Sequence, residues 1–168
     1  YGKGWIEDRI QNLTFRISAH TFYQVNPIQT EVMYETALKF ADLSTKDTVL
    51  DMCCGIGTIS LLAAQKARYV LGVEINPKSI QDAQKNAGRN HIDNAEFLAM
   101  DGEAFIHDLL DCPDVVFLDP PRNGFSDGFM HALDKLGPEK IVYVSCNPLT
   151  QAANCQVLRS HYSIEKIQ

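Results

Sequence analysis

After residue 26 the chain alternates between short hydrophobic runs and longer stretches in which hydrophobic residues recur every three or four positions. The short runs predict buried strands, and the longer stretches predict helices with one apolar face. Strands that alternate with helices are joined by right-handed crossovers, which produce a parallel sheet covered by helices on both sides. The pattern therefore predicts an α/β fold, a three-layer, doubly wound, Rossmann-like sandwich with a mostly parallel sheet.

Hydrophobic runs, glycines and Asn-Pro pairs give the boundaries of the predicted elements. Asn26-Pro27 and Asn76-Pro77 each predict a helix start, because asparagine caps a helix and proline fits its first turn. The predicted strands are 48–52, 69–74, 95–100, 114–119, 140–145 and 162–167. The predicted helices are 27–42, 58–66, one that begins at 77, 103–110, part of 126–136, and 149–159, the last with Leu149, Ala153 and Val157 on its inner face.

The first 25 residues follow a different pattern. Residues 13–17 alternate like a half-exposed strand, and Gly2 and Gly4 mark turns. We expect residues 1–25 to be the tail of an upstream region packed on the core, and residues 26–168 to form one catalytic domain. Because the chain starts without methionine and ends within or just after the last predicted strand, we expect it to be a C-terminally truncated piece of a longer protein.

Composition narrows the cellular setting and the partners. The chain has no apolar run long enough to span a bilayer and no secretory leader, so we expect a cytoplasmic protein with no membrane partner. The five cysteines lack the spacing of a disulfide or zinc framework, so we expect reduced thiols and no metal. A net charge of −6 argues against a domain that holds nucleic acid by its own field, unless another domain supplies the basic surface.

Two polar tetrads, each directly after a hydrophobic run, indicate an active site. They are Asp-Pro-Pro-Arg at 119–122 and Ser-Cys-Asn-Pro at 145–148. Loops at the carboxyl ends of parallel strands share one edge of the sheet, where open α/β folds bind ligands. A thiol just before a helix has a stabilised thiolate, which makes Cys146 a candidate nucleophile, although a lone cysteine is more often a packed apolar residue. The carboxylate of Asp119 is the candidate partner of this thiol.

A glycine turn after the strand at 48–52 indicates a nucleotide-type cofactor. Gly55 and Gly57 let the backbone approach a ligand at the start of a helix, although two glycines alone equally predict a tight turn. Glu74 ends the next predicted strand, where an acidic residue binds ribose hydroxyls. Asp101, at the end of the following strand, is placed either to meet adenine or to cap a helix.

Two features favour S-adenosyl-L-methionine over a nicotinamide dinucleotide. The dinucleotide fingerprint has a third glycine where this chain has Ser60. Asp51, at the beginning of the turn, suits a cofactor with an ammonium group better than one whose pyrophosphate lies there. The sequence therefore favours a methyltransferase, with a nicotinamide-dependent dehydrogenase as an alternative.

The two tetrads favour different target atoms. Asp119-Pro120-Pro121 alone is typical of amino methyltransferases, which need no cysteine nucleophile. C5 of a pyrimidine, in contrast, becomes nucleophilic only after a thiolate adds at C6, so Cys146 favours carbon methylation. An amino methyltransferase of the Asp-Pro-Pro type and a non-catalytic cofactor- or RNA-binding module are the alternatives.

Five segments, in order, closely resemble the RNA uracil-5-methyltransferases that act on tRNA or 23S rRNA. The segments are Phe22-Tyr23-Gln24-Val25-Asn26-Pro27, residues 51–58, Gly72-Val73-Glu74, Asp119-Pro120-Pro121-Arg122 and Ser145-Cys146-Asn147-Pro148. The resemblance extends from residue 1 to residue 168. It implies an RNA substrate, S-adenosyl-L-methionine as cofactor and RNA-binding modules upstream, which in some members of the family include an iron–sulfur cluster.

The resemblance also assigns roles to the candidate residues. It implies that Cys146 is the nucleophile on uracil C6, and that Gln24 and Asp119 lie between the cofactor and the base. It implies that Glu74 binds the ribose and that Asp101 contacts the adenine region. The remaining residues of the implied cofactor site are Asp51, Cys53, Gly55 and Gly57.

The chain departs from the family at two points. At Cys53 the family commonly has an aromatic residue, so we expect only the backbone to contact the cofactor there. The general base of the family is a glutamate in a His-hydrophobic-Glu motif beyond the last helix, and no such motif occurs in these 168 residues. We therefore expect the isolated chain to form the covalent adduct without efficient release of product, on a base that is unpaired or flipped out.

Overall fold

A five-stranded parallel sheet lies at the centre of the fold in the computed structural model, which describes residues 2–168. The strands are β1 (Trp5–Ile10), β2 (Leu13–Ser18), β3 (Thr48–Met52), β4 (Tyr69–Glu74), β5 (Ala95–Ala99), β6 (Val115–Leu118) and β7 (Lys140–Tyr143). The helices are α1 (Pro27–Ala41), α2 (Thr58–Ala64), α3 (Pro77–Arg89), α4 (Gly102–Asp108), α5 (Asp127–Leu136) and α6 (Pro148–Leu158). The order in the sheet is β5-β4-β3-β6-β7, which confirms the predicted doubly wound α/β fold.

Both faces of the sheet are covered, because alternate residues of each strand enter different hydrophobic clusters. In β6, Val115 and Phe117 pack with α1 and α2, whereas Val116 and Leu118 pack with α4 and α5. All four of these side chains are buried. This explains why the central strands are continuous hydrophobic runs rather than alternating ones.

The carboxyl ends of the central strands lie in register at one edge of the sheet. Met52 pairs with Val73 of β4 and with Leu118 of β6, and Leu118 pairs with Tyr143 of β7. The strand order reverses between β3 and β6, so the crossovers leave in opposite directions there and open a crevice. The loops that follow β3, β4, β6 and β7 therefore meet at this carboxyl edge.

Asn-Pro pairs begin three of the helices. The side chains of Asn26, Asn76 and Asn147 accept hydrogen bonds from backbone N–H groups in the first turns of α1, α3 and α6. In each case a proline follows at the first helical position, where its missing N–H costs nothing. The predicted starts at Asn26 and Asn76 are confirmed.

An antiparallel hairpin of β1 and β2 packs against α3 through a ladder of side-chain hydrogen bonds. The pairs are Ser18 N–H to Asp82 Oδ2 (2.9 Å), Arg16 N–H to Asn86 Oδ1 (2.7 Å) and Thr14 N–H to Asn90 Oδ1 (2.9 Å). Two residues of a strand and one turn of a helix each advance by about 6 Å. Every second residue of β2 therefore meets the next turn of α3. The ladder attaches the segment that carries Gln24 firmly to the sandwich.

The predicted last strand, 162–167, is wrong: residues 162–168 form neither helix nor strand. Tyr162 alone turns inward, and its hydroxyl donates to the carbonyl of Pro138 at 2.8 Å. Ile164 and Ile167 are 70% and 83% exposed. The apolar alternation suggested a strand, but within residues 2–168 the segment pairs with no neighbour in the sheet.

The predicted inner face of the last helix is wrong at two of its three residues. Leu149 is 81% exposed and Ala153 is exposed, whereas Val157 is half-buried and packs against the core as predicted. Asn154 and Leu158 are the buried residues of α6. A hydrophobicity pattern does not identify Asn154 as an inward residue, because its burial depends on hydrogen bonds to other segments.

Candidate active site

A cleft opens at the carboxyl edge above β3, beside the hairpin and α1. The predicted site residues Gln24, Asp51, Cys53, Gly55 and Asp119 line it. Gly57, Glu74, Asp101 and Cys146 do not. The structure thus brings together predicted residues from three separate parts of the sequence, and leaves the predicted nucleophile on an adjoining loop.

Asp51 is a fully buried carboxylate in the floor of the cleft. The Ser60 hydroxyl donates to its Oδ2 at 2.5 Å, while Oδ1 has no hydrogen-bond partner. Burial raises the pKa of Asp51 to about 7, the Ser60 hydrogen bond opposes this rise, and the charge of Asp119 adds to it. A buried carboxylate with one free oxygen is the complement of a cationic ligand group such as an ammonium.

The glycine turn, residues 53–57, has left-handed backbone at three positions, with φ values of +63° at Cys53, +55° at Gly55 and +81° at Gly57. A Cβ on Gly55 would meet nothing within 4 Å, so this position faces open space. A Cβ on Gly57 would lie 2.9 Å from the ring of Phe97. Gly57 therefore permits close packing of α2 on β5, whereas Gly55 leaves room in the cleft.

Glu74 supports the glycine turn from the end of β4. Its Oε2 accepts from the Gly55 N–H at 3.2 Å, and its Oε1 accepts from the Asn76 N–H at 2.9 Å. Each carboxylate oxygen can accept a second hydrogen bond. Glu74 can therefore receive two hydroxyl donors from a ligand without releasing the turn.

Two acidic groups besides Asp51 line the cleft, the half-buried carboxyl of Asp119 and the buried phenol of Tyr34. Burial raises the pKa of Asp119 to about 6. Burial also raises the pKa of the Tyr34 phenol, to which the charges of Asp119 and Asp51 add, while a hydrogen bond with Gln24 acts in the opposite direction. At neutral pH the phenol is a hydrogen-bond donor, Asp119 is mostly charged, and Asp51 is charged in only part of the molecules.

Sequence reasoning missed Tyr34 and the role of Ser60. Tyr34 lies one helical turn after the buried Thr30, on a face of α1 that also holds Ala37 and Leu38. The i, i+4 spacing could have identified this face. Ser60 was considered only as a substitute for a third glycine, and its contact with Asp51 depends on the curvature of the glycine turn.

Cys53 is an inert thiol in an acidic environment. Burial raises its pKa to about 12, and the carboxylates of Glu74, Asp51, Asp119 and Asp101 add to the rise, in that order. The thiolate is the nucleophilic form of cysteine, so Cys53 stays unreactive near neutral pH. Asp101 contributes its charge from the start of α4, where it is exposed and accepts from the Ala104 N–H at 3.0 Å as a helix cap.

Cys146 lies exposed in the loop between β7 and α6, residues 144–147, which we name the Cys146 loop. The loop after β6, residues 119–126, is named the Asp119 loop. The Asn147 side-chain amide and the Thr150 hydroxyl donate to the carbonyl of Arg122 at 3.1 Å and 3.2 Å. The start of α6 therefore binds the Asp119 loop directly, and the thiol and the carboxylate lie on two joined loops.

The described residues give no sign of a metal centre or a membrane span. No group of three or more His, Cys, Asp or Glu side chains in residues 2–168 is arranged to hold a metal ion. In the same range no helix combines the length and the hydrophobicity that crossing a membrane requires.

Comparison with known proteins identifies the family. The family model described as "Methyltransferase domain" matches residues 43–167. The chain belongs to the methyltransferase domain family. Proteins named "Uncharacterized RNA methyltransferase" from Staphylococcus epidermidis and Clostridium tetani are 45% and 46% identical to it, over 99% and 100% of this chain. The chain spans 37% of the length of each of these relatives.

Solved structures of methyltransferases have the same fold. The Pyrococcus abyssi tRNA (uracil-54, C5)-methyltransferase in complex with S-adenosyl-L-homocysteine matches with a TM-score of 0.82 and 30% identity, over 94% of this chain and 38% of that one. Trm5b of the same organism matches with a TM-score of 0.71 at 16% identity, over 95% of this chain and 47% of that one, which shows the fold alone. The predicted resemblance to methyltransferases that act on RNA is confirmed.

Proposed function

We propose that this methyltransferase domain transfers a methyl group from S-adenosyl-L-methionine to C5 of a uridine in tRNA or 23S rRNA, through a covalent bond between Cys146 and uracil C6. The observation that carries the proposal is the direct connection of two loops at the carboxyl edge. The Asn147 amide binds the Arg122 carbonyl at 3.1 Å, so the loop with the exposed thiol is held to the loop whose carboxylate lines the cleft. The uracil C5-specific name of the Pyrococcus abyssi structure supports the same reaction.

The residues of the cleft fit S-adenosyl-L-methionine. The unpartnered oxygen of Asp51 can accept the ammonium of its amino-acid part, and Glu74 has free lone pairs for two ribose hydroxyls. Gly55 leaves open space where the ligand would cross the turn. When bound, this cofactor supplies an electrophilic methyl group on a sulfonium sulfur.

Cys146 supplies the covalent step. Its Sγ adds to C6 of the uracil, and the electron pair of the C5–C6 double bond moves onto C5 and the O4 carbonyl. C5 is now nucleophilic and accepts the methyl group. Removal of the C5 proton by a base then restores the double bond and expels Sγ as a thiolate.

Asp119 is the proposed positioning group for the uracil. Because burial raises its pKa to about 6, it carries a charge at neutral pH yet accepts a proton at modest cost. It can therefore hydrogen-bond the base and follow the change of charge on its O4–C4–N3 edge with little reorganisation. Gln24 also lines the cleft and is proposed to contact both cofactor and base.

RNA selection and the general base are proposed to lie in other parts of the full protein. The net charge of −6 gives this domain little attraction for phosphates of its own. We propose that an upstream RNA-binding domain chooses the RNA, with residues 1–25 as its tail and residues 26–168 as the methyltransferase domain. None of the described residues is assigned the role of the base that takes the C5 proton.

A second candidate is an amino methyltransferase that uses Asp119-Pro120-Pro121 to hold a target amine. The observation in its favour is that Asp119 lines the cleft, whereas Cys146 does not. Loss of all methyl transfer in Cys146→Ala supports carbon methylation, because an amino methyltransferase would retain its activity.

Covalent trapping tests the proposed function. A fluorine at C5 cannot leave as a proton, so RNA made with 5-fluorouridine should remain bound to Cys146 after methyl transfer. We expect a denaturation-resistant complex of the chain with such tRNA or 23S rRNA fragments, formed only with S-adenosyl-L-methionine present. Cys146→Ser should abolish it, and Cys112→Ser, which changes another exposed cysteine, should not. No complex with the unsubstituted chain would contradict the proposal.

A further inference from the structure

One buried side chain contacts the segments on both sides of the proposed reaction centre. Asn154 of α6 is 4% exposed. Its Oδ1 accepts from the Phe125 N–H at 3.0 Å and from the Tyr143 hydroxyl at 2.8 Å, and its Nδ2 donates to the Phe125 carbonyl at 2.9 Å. Phe125 belongs to the Asp119 loop, and Tyr143 is the residue directly before the Cys146 loop.

The Asp119 loop is shaped to meet this side chain. Gly124 has a φ of +69°, and a Cβ there would lie 2.6 Å from Asn154 Oδ1. Phe125 stacks on Phe129 with 4.0 Å between ring centroids, which fixes the loop from the other side. The loop therefore passes over Asn154 in a conformation that a larger residue at 124 would prevent.

The chemistry of the position calls for an amide. Asn154 must accept hydrogen bonds at one atom and donate at another. An ionised carboxylate can only accept, and an aliphatic side chain can do neither. An aspartate would set a negative oxygen against the Phe125 carbonyl, and a leucine would leave three part-buried polar groups without their present partner. A helix face that served only for packing would carry an apolar residue here.

We propose that Asn154 is a positioning residue that sets the separation between the Cys146 loop and the Asp119 loop. The inference rests on the proposed function. For Sγ to attack C6, the thiol must lie above one face of the uracil while Asp119 holds the edge of the same ring. The distance between the Cys146 loop and the Asp119 loop must therefore be fixed. Asn154 touches neither the base nor the cofactor and acts through the two loops that do.

The test measures the rate of adduct formation separately from cofactor binding. For Asn154→Ala we expect adduct formation with 5-fluorouridine RNA at saturating cofactor to slow by about 10- to 100-fold, because small displacements of reacting groups have effects of that size. The dissociation constant of the cofactor should change by less than about threefold, since its proposed contacts on Asp51, Glu74, the glycine turn and Gln24 lie outside the two loops that Asn154 joins.

Asn94→Ala is the matched control. Asn94 donates to the carbonyls of Ala64 and Ala67 at 2.9 Å and 3.1 Å, beyond the amino-terminal end of the sheet. The Asn94→Ala variant loses a comparable set of hydrogen bonds, and its rate of adduct formation should equal that of the unsubstituted chain. Equal slowing in the two variants would overturn the inference, because the effect would then follow stability alone.

Tyr143→Phe covers the case in which Asn154→Ala does not fold. It removes only the hydroxyl that meets Asn154, and we expect adduct formation to slow by about 3- to 10-fold, as for loss of one hydrogen bond. An unchanged rate in a folded Asn154 or Tyr143 variant, while Cys146→Ser abolishes the adduct, would overturn this inference alone. Absence of an adduct in the unsubstituted chain would overturn the proposed function, and this inference with it.

Discussion

The Ser60 hydroxyl donates a hydrogen bond of 2.5 Å to Asp51 Oδ2 in the floor of the cleft, while Oδ1 of the same carboxylate has no partner. Ser60 lies in the first turn of α2, so the helix that follows the glycine turn also holds the acidic residue that precedes it. The hydrogen bond favours the charged form of a group whose burial favours the neutral form. Ser60 therefore keeps Asp51 available for a cationic ligand.

Ser60→Ala should weaken cofactor binding. Loss of the hydroxyl raises the pKa of Asp51 further above its present value of about 7, so less of it is charged at neutral pH. We expect the affinity for S-adenosyl-L-methionine to fall by about tenfold at pH 7, the size of one hydrogen bond to a charged group. Isothermal titration calorimetry at pH 7 and pH 8.5 measures it, with a smaller loss expected at the higher pH.

Ser44→Ala is the control for this prediction. Ser44 donates to Asp47 at 3.0 Å, so it forms the same type of pair, but it lies in the exposed turn before β3. Its substitution should leave cofactor affinity unchanged. A similar loss of affinity in both variants would show that Ser60 has no special role.

The stability of the chain should fall as the pH rises from about 4 to about 7. Burial raises the pKa of Asp51 from 3.8 to about 7 and that of Asp119 from 3.8 to about 6. The folded chain then binds more protons than the unfolded chain in this window, so each unit of pH lowers the free energy of unfolding. Above the folded pKa values the contribution is fully lost.

Asp51→Asn isolates the larger part of this effect. The neutral amide cannot titrate, so the variant should gain stability relative to the unsubstituted chain as the pH rises, by on the order of 1–3 kcal/mol at pH 8. Urea unfolding of both proteins at several pH values measures the difference. A difference that does not change between pH 4 and pH 8 would mean that Asp51 is charged throughout.

Gly57→Ala should destabilise the fold more than Gly137→Ala. Both glycines have positive φ, +81° and +74°, so both substitutions cost about 1–2 kcal/mol of backbone strain. Only at Gly57 does the new Cβ meet a ring, that of Phe97 at 2.9 Å, which adds about 1–3 kcal/mol of overpacking. Urea unfolding measures the free energy of unfolding of both variants. Equal losses of this free energy would show that the Phe97 ring moves aside at no cost.

The regular part of the fold could be predicted because each element satisfies local rules. The strand at Thr48–Met52 is a short hydrophobic run, and the helix starts at Asn26 and Asn76 follow from cap geometry. The alternation of strands and helices also predicted a shared carboxyl edge of the sheet. That edge brings Asp51 and Asp119 into the same cleft.

The errors occurred where long-range contacts decide the structure. Asn154 is buried by its bonds to Phe125 and Tyr143, which are 29 and 11 residues away, and no periodicity encodes such contacts. Residues 162–167 have the alternation of a strand but no pairing partner among the described residues. Tyr34 entered the site through the packing of α1 beside the glycine turn, which the sequence pattern did not specify.

The most direct test of the central claim is to map the bond in the trapped complex by tandem mass spectrometry. After protease and nuclease digestion of the complex with 5-fluorouridine RNA, we predict one cross-linked peptide that contains Cys146, joined to a fluorouracil nucleotide that has gained a methyl group at C5. A cross-link at another cysteine, or methylated RNA with no link to Cys146, would contradict thiolate-assisted methylation of uridine C5 by this domain.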